Sequence, residues 1–378
     1  MKYPVKNNIY AHQMRIVFAS AHYNDTIGYS KVVYEILKRL VKVPDFEVYH
    51  FGWRQHPTFR REKIEGLKND YIAYKSDTPI SPPLRGFGED KLQKYLTITR
   101  PDLVIIFEEA STLAFLSNIC DIPNRKFKIW CYIDQVYTYS NVSNIVCDKF
   151  IVFSEQWRMP IDKEQIVLIQ PPSGTIKPVA ENECLALRQK LGITDEPIFL
   201  SVARNNPRKR LDLLIQSFTL YKTTGGKGKL ILITDPNGYY NLQMLFGLEN
   251  APMEHIRVVE NNLTDETINL FYNTADYGVN TSEGEGWGVM ACEMALLGKP
   301  QLALDLGSYR TWLNDDTAVL IKPTQRIHKS YNSANGAYGL TTTVEAFTEG
   351  FRSVQTKLKP TVDFTWDGVM EKFIREIR

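Results

Sequence analysis

Apolar residues fall into short runs separated by stretches with helical spacing. Residues 14–20 (MRIVFAS) are short, apolar and β-branched, which predicts a first strand. A polar loop follows over 21–28, and then Val33, Ile36, Leu37 and Leu40 recur at helical spacing, with Ser30 as the expected cap. Strand-like runs return at 46–51, 103–107, 128–133 and 149–154. Strands alternating with helices predict parallel βαβ units. The pattern breaks at Gln170-Pro171-Pro172-Ser173-Gly174, where two prolines and a glycine mark a linker. It then restarts, with helices over 184–191, 211–221, 264–272 (capped by Thr264) and 289–297, and strands at 198–202, 229–234, 256–259, 276–280 and 301–304. Residues 324–341 are polar and predict an exposed loop, while 343–356 and 366–377 read as helices. The expected architecture is α/β, with two Rossmann-like domains (1–172 and 173–360) followed by a C-terminal helix (361–378).

Length supports that division, since 378 residues exceed one ordinary core. Hydrophobic content of 43% with 23% charged residues is that of a globular chain, and a net charge of +2 gives no broad footprint for nucleic acid. No apolar run reaches the roughly 20 residues of a membrane span, and residues 1–10 lack the apolar core of a signal peptide. The cysteines at 120, 131, 147, 184 and 292 have neither disulfide nor metal-site spacing, and Cys131 and Cys292 read as buried thiols. A cytoplasmic location is expected, in which the Asn-x-Ser motif at Asn141 carries no meaning.

Candidate chemistry concentrates after two strands of the second half. Residues 282–293 read SEGEGWGVMACE, a glycine-rich turn between a strand and a helix. Such a turn offers unpaired N–H groups and a partial positive charge to a phosphate. Glu285 lies in it and Glu293 two helical turns later, and a carboxylate can accept hydrogen bonds from a vicinal diol. After the strand at 198–202, Arg204, Arg208, Lys209 and Arg210 place four cations where α/β sheets bind ligands. Each feature alone is compatible with a solvated loop; together they suggest a nucleotide-sugar site.

In these residues the chain resembles the retaining glycosyltransferases of family 4, which have the GT-B fold. Ala203-Arg204, then four residues and Lys209, matches one signature; Glu285-Gly286-Trp287-Gly288 with Glu293 matches the other. Ala275-Asp276 and Leu297-Gly298-Lys299-Pro300 match the flanks, and the resemblance is clear over about 165–322. It implies that Arg204 and Lys209 neutralise the donor diphosphate, Glu285 contacts the donor sugar and Glu293 holds the ribose. It also implies that the backbone of Gly286, Trp287 and Gly288 meets the sugar and phosphate, and that Gly28 faces the diphosphate across a cleft. The C-terminal helix would return to the N-terminal domain. The implied reaction is hexosyl transfer with retention, leaning to mannose from GDP-mannose, with a UDP-sugar as alternative donor and a glycan or lipid-linked acceptor. No cofactor is expected, and no metal, because the chain contains no Asp-x-Asp.

The chain also departs from the family. Gly28 is followed by Tyr29 rather than a second glycine; Tyr132-Ile133-Asp134 stands where a His is frequent, leaving Asp134 as a candidate donor contact; and Arg310-Thr311 stands where an acidic residue is usual. The absent His keeps a non-catalytic nucleotide-sugar-binding protein as an alternative of another class. His12, His22, His50 and His56 are weaker candidates, with His22, just after the first strand, expected at the cleft edge as a candidate acceptor contact beside its reading as a surface histidine. The basic stretch Arg54, Arg60, Arg61, Lys63 and Lys68 reads as a solvated surface, with peripheral contact to an anionic membrane as its functional alternative.

Overall fold

The computed structural model describes residues 13–58, 61–134, 142–261, 263–328 and 338–378. His12, Arg60, Asn141 and the middle of the polar stretch 324–341 lie outside them.

The first half runs β1 (Met14–Ala21), α1 (Gly28–Leu40), β2 (Phe46–Trp53), β3 (Asn69–Ile72), α2 (Glu89–Thr99), β4 (Leu103–Glu109), α3 (Ala110–Cys120), β5 (Lys128–Asp134), β6 (Lys149–Val152) and β7 (Gln165–Val167). The second runs α4 (Glu181–Lys190), β8 (Ile198–Val202), α5 (Leu211–Thr223), β9 (Lys229–Ile233), α6 (Leu242–Leu248), β10 (Ile256–Val259), α7 (Asp265–Thr274), β11 (Tyr277–Asn280), α8 (Val289–Leu296), β12 (Gln301–Leu304) and β13 (Ala318–Ile321). It ends with β14 (Gln325–His328), β15 (Tyr338–Thr341), α9 (Val344–Ser353) and α10 (Trp366–Ile377).

Two parallel sheets result, ordered β3-β2-β1-β4-β5-β6-β7 and β10-β9-β8-β11-β12-β13. Both reverse direction of winding beside their first strand, at β1/β4 and β8/β11. Loops leaving the carboxyl ends of those four strands therefore border a crevice in each domain. The central strands are sheathed on both faces, so Ile16, Val17, Phe18, Val104, Ile105 and Ile106 are all fully buried. This is the GT-B arrangement of two Rossmann-like domains.

The helices seal the sheets with the residues the periodicity marks. Val33, Ile36, Leu37 and Leu40 of α1 are fully buried. Trp366, Met370, Phe373 and Ile377 of α10 form one buried face. That face lies on the N-terminal domain: Phe373 meets Trp130 edge-on at 6.3 Å, and Arg39 of α1 donates to Asp367 at 2.6 Å. Thr264 caps α7 as expected, accepting the Thr267 N–H at 3.2 Å. Ser30 does not cap α1. The helix begins earlier, at Gly28, and the Ser30 hydroxyl donates to the His22 carbonyl at 2.7 Å. Nor is the 324–341 stretch all loop, because its two ends pair as the antiparallel β14–β15.

Candidate functional site

A cleft of about 370 Å³ lies between the domains. It is lined by Gly28 and Asp134 from the first and by Arg204, Lys209, Glu285, Gly286, Trp287, Gly288 and Glu293 from the second, so all nine sequence-derived candidates border it. Two helix N-termini meet there. A methyl group on Gly28, the first residue of α1, would sit 3.8 Å from Val289, the first residue of α8. Neither helix has a side-chain cap or an acidic residue in its first turn. Both leave N–H donors and partial positive charge facing one spot, which favours an anion.

The turn before α8 is shaped by its glycines. Gly288 takes φ +83°, and a Cβ there would fall 2.3 Å from the Tyr309 ring. A Cβ on Gly286 would fall 1.8 Å from Asp134 Oδ1, so the turn touches the opposite domain. The Gly286 carbonyl accepts from Trp157 Nε1 at 2.7 Å and Ser308 Oγ at 3.0 Å. Trp287 is buried against Trp312, ring centroids 4.5 Å apart, which leaves its backbone as the part nearest the cleft chemistry.

Cations gather on the floor. Asn206 starts the short 3₁₀ turn Pro207–Lys209 by accepting the Lys209 N–H, and this aims Lys209 at the Glu285 carboxylate. Arg208 flanks the pair, 3.4 Å from Glu285 and donating to the Gly284 carbonyl at 2.6 Å. Burial opposes the Glu285 charge, yet Lys209 and then Arg208 outweigh it and hold the carboxyl at about 2. Burial brings the Lys209 ammonium down to about 8 against the pull of Glu285. Arg204 is different. It opens into the cleft, and among the described residues its side chain has no hydrogen-bond or ion-pair partner. Desolvation, then the like charges of Arg54 and Arg208, disfavour its proton. A diphosphate would relieve that repulsion.

The N-terminal wall is acidic. Asp134 and Glu109 are register partners at the ends of β5 and β4, and Tyr29 donates to Asp134 Oδ2. Burial, reinforced by Glu109, lifts the Asp134 carboxyl to about 7. Its Oδ1 has no partner among the described residues. Behind the wall, outside the cleft lining, burial also raises Glu108 to about 8. At neutral pH this wall can both donate and accept hydrogen bonds, which suits sugar hydroxyls.

At the far end of the cleft, the ammonium of Lys31 on α1 lies 3.2 Å from both Glu293 Oε1 and Asp265 Oδ1. Sequence reasoning missed Lys31 and Asp265, since no local pattern pairs residues more than two hundred positions apart. It also misplaced Arg61, which is no solvated surface cation. Arg61 donates to the carbonyls of Tyr23 and Asp25, and its other arm lies 3.6 Å from Asp265.

The histidine candidates sit elsewhere. His22 is not at the cleft edge but buried, with His50, around Asp70: His22 Nε2 and His50 Nδ1 lie 3.2 and 2.9 Å from the same Oδ1. Three such groups resemble metal ligands, but the proton pattern does not fit a metal. His22 Nδ1 accepts the Asn24 N–H at 3.0 Å, so its Nε2 carries the proton and donates to Asp70. Tyr23 donates to the other oxygen at 3.0 Å, completing a satisfied network under the β1–α1 loop. Arg310 is held by Asp305 and Asp315 at 2.8 and 2.7 Å. Among the described residues no helix is long and apolar enough to cross a membrane.

Comparison with known proteins agrees with the fold. Residues 185–334 match the sequence model of the group 1 glycosyl transferases. No curated protein sequence matches the chain. Among solved structures, sucrose-phosphate synthase from Thermosynechococcus elongatus superposes with a TM-score of 0.67 at 16% identity, covering 96% of this chain and 99% of that one. Anabaena HepE, in complex with UDP and glucose, gives 0.64 at 14% identity over 96% and 99%. The lipopolysaccharide outer core galactosyltransferase WaaB gives 0.60 at 16% identity over 95% of each chain. The fold is thus GT-B, and residues 185–334 are similar to the group 1 glycosyl transferases.

Proposed function

We propose that this chain is a retaining glycosyltransferase that moves a hexose from a nucleotide-diphosphate sugar to a glycan or lipid-linked acceptor. The observation that carries the reading is the anion site: two uncapped helix N-termini facing each other beside the unpartnered Arg204. In the proposed step the bond between the anomeric carbon and the diphosphate oxygen breaks. The acceptor oxygen bonds to that carbon on the same face, and the acceptor proton passes to the departing phosphate. Negative charge then grows on the diphosphate, where Arg204, Lys209 and the helix N-termini stabilise it without a metal. Glu285, kept ionised by Lys209, would accept from donor-sugar hydroxyls, and Asp134, about half protonated at neutral pH, would donate to one in its protonated form. Glu293 would take the ribose.

GDP-mannose is the donor expected from the sequence. A UDP-hexose is the second reading, favoured by HepE, whose structures hold UDP and UDP-glucose. A thermal-shift panel of GDP, UDP, ADP and CDP, with and without magnesium, tests both, because a ligand binding only the native state raises the melting temperature. One metal-independent shift, with slow hydrolysis of the corresponding nucleotide sugar, is the expected result. A shift without turnover of any donor would leave a nucleotide-sugar-binding protein, and no shift at all would remove the diphosphate site.

A further inference from the structure

We propose that Lys31 is a positioning residue for donor recognition: a cation of the N-terminal domain that keeps Glu293 ionised and oriented, so that the ribose site is complete only when the domains are closed. This rests on reading the cleft as a nucleotide-sugar site. Lys31 stands in the first turn of α1, where the helix dipole disfavours a cation, and that turn holds no acid to compensate it. Its side chain is only 14% exposed. A charge so placed needs partners, and both come from the other domain: Glu293 on α8 and Asp265 on α7, each at 3.2 Å. Burial disfavours the Lys31 ammonium, but the two carboxylates outweigh it and hold its proton more tightly than usual.

Glu293 needs Lys31 in turn. Its side chain is 1% exposed. Among the described residues, the titratable groups facing it are Lys31 from α1, Asp265 and Tyr272 from α7, and its neighbour Cys292 on α8; Lys31 is the cation of this set, while Arg61 pairs with Asp265 at 3.6 Å. Burial already holds the Glu293 carboxyl above the ordinary range, and loss of Lys31 would raise it further. Lys31 engages Oε1 and Tyr272 faces the carboxylate, which still leaves acceptor capacity on both oxygens for a pair of ribose hydroxyls. A protonated Glu293 would lose part of that capacity.

The test is calorimetric titration of the full-length protein with UDP and with GDP between pH 5.5 and 8.5, beside donor-hydrolysis kinetics for Lys31→Met, Lys31→Arg and Glu293→Gln. Lys31→Met is expected to weaken binding of the preferred nucleotide about tenfold, raising KM for the donor more than it lowers kcat. The deficit should grow as pH falls, because Glu293 then protonates at a higher pH. Lys31→Arg should recover most of the affinity, whereas a purely structural role would move the melting temperature and leave the pH slope alone. In the Glu293→Gln background, Lys31→Met should change affinity by less than about twofold. If Lys31→Met does not fold, Lys31→Gln takes its place. A wild type that binds while the Lys31 variants bind equally well or more tightly, with the same pH slope, overturns the inference alone. A wild type that binds neither nucleotide and hydrolyses no donor overturns the reading of the cleft, and the inference with it.

Discussion

The Lys209–Glu285 pair shows how a site can carry charge while nearly dry. Each group is about nine-tenths buried and is ionised because of the other. Removing one partner strands the other, so Lys209→Ala should cost about 3 kcal/mol in urea unfolding as well as about 10²–10³-fold in transfer. Glu285 also sets an acid limit. Its folded carboxyl, at about 2, lies below the ordinary 4.5, so its contribution is complete above pH 4.5 and disappears as pH falls toward 2. Glu285→Gln, weaker at pH 7, should lose less stability on acidification than wild type, measured by urea titration at pH 7 and 3. Asp134 behaves oppositely. Its folded carboxyl, at about 7, lies above 3.8, so the folded state loses stability as pH rises from 4 to 7. Asp134→Asn should therefore stabilise the protein by about 2–4 kcal/mol at pH 8 and by almost nothing below pH 4. Arg204, Lys209, Glu285 and Glu293 were legible as candidates in the sequence because their spacings reflect two strand-to-helix connections, after β8 and after β11. Lys31, Asp265 and Glu109 act through partners the chain brings together only on folding, and no local signal marks them.

Among elements, those with strong periodicity or compact apolar runs were readable: β1, β4, β5, β8, α1, α5 and α10. The edge strand β3 was not, since NDYI is four residues with none fully buried. The helix α3 (ASTLAFLSNIC) has apolar residues around much of its circumference and no capping side chain, so its period is blurred. The helix α6 is short, with only Leu242 and Phe246 buried. Polar composition hid β14 and β15, which pair through backbone hydrogen bonds that composition cannot reveal. For α10 the strong face makes a direct prediction. Phe373 is 2% exposed against Trp130, so Phe373→Ala should cost about 3–5 kcal/mol in denaturant unfolding followed by Trp fluorescence.

On the scale of the whole molecule, the two domains are joined by apolar contact on one side of the cleft and by ions at its far end. Trp287, Ala291 and Cys292 of the second domain belong to the same core as the first sheet. Asp265 is held by Lys31 and Arg61 from the opposite domain. Asp265→Arg would place three cations together while leaving the apolar contact intact. The radius of gyration from small-angle X-ray scattering should then rise above the roughly 21 Å expected of a compact chain this long, with the circular dichroism spectrum unchanged. An unchanged radius would mean that the apolar contact alone holds the domains.

The return of α10 has a mechanical consequence. The chain passes between the domains once after β7, through the segment ending at α4, and again after α9, through the segment leading to α10. Two bodies joined by one strap can twist about it; joined by two, they behave like a door on a pair of pins. Rotation about the line through both straps stays soft, while rotation about any other axis stretches or crumples one of them. Opening and closing should therefore repeat along a single arc, bringing Lys31 back to Glu293 each time the cleft shuts.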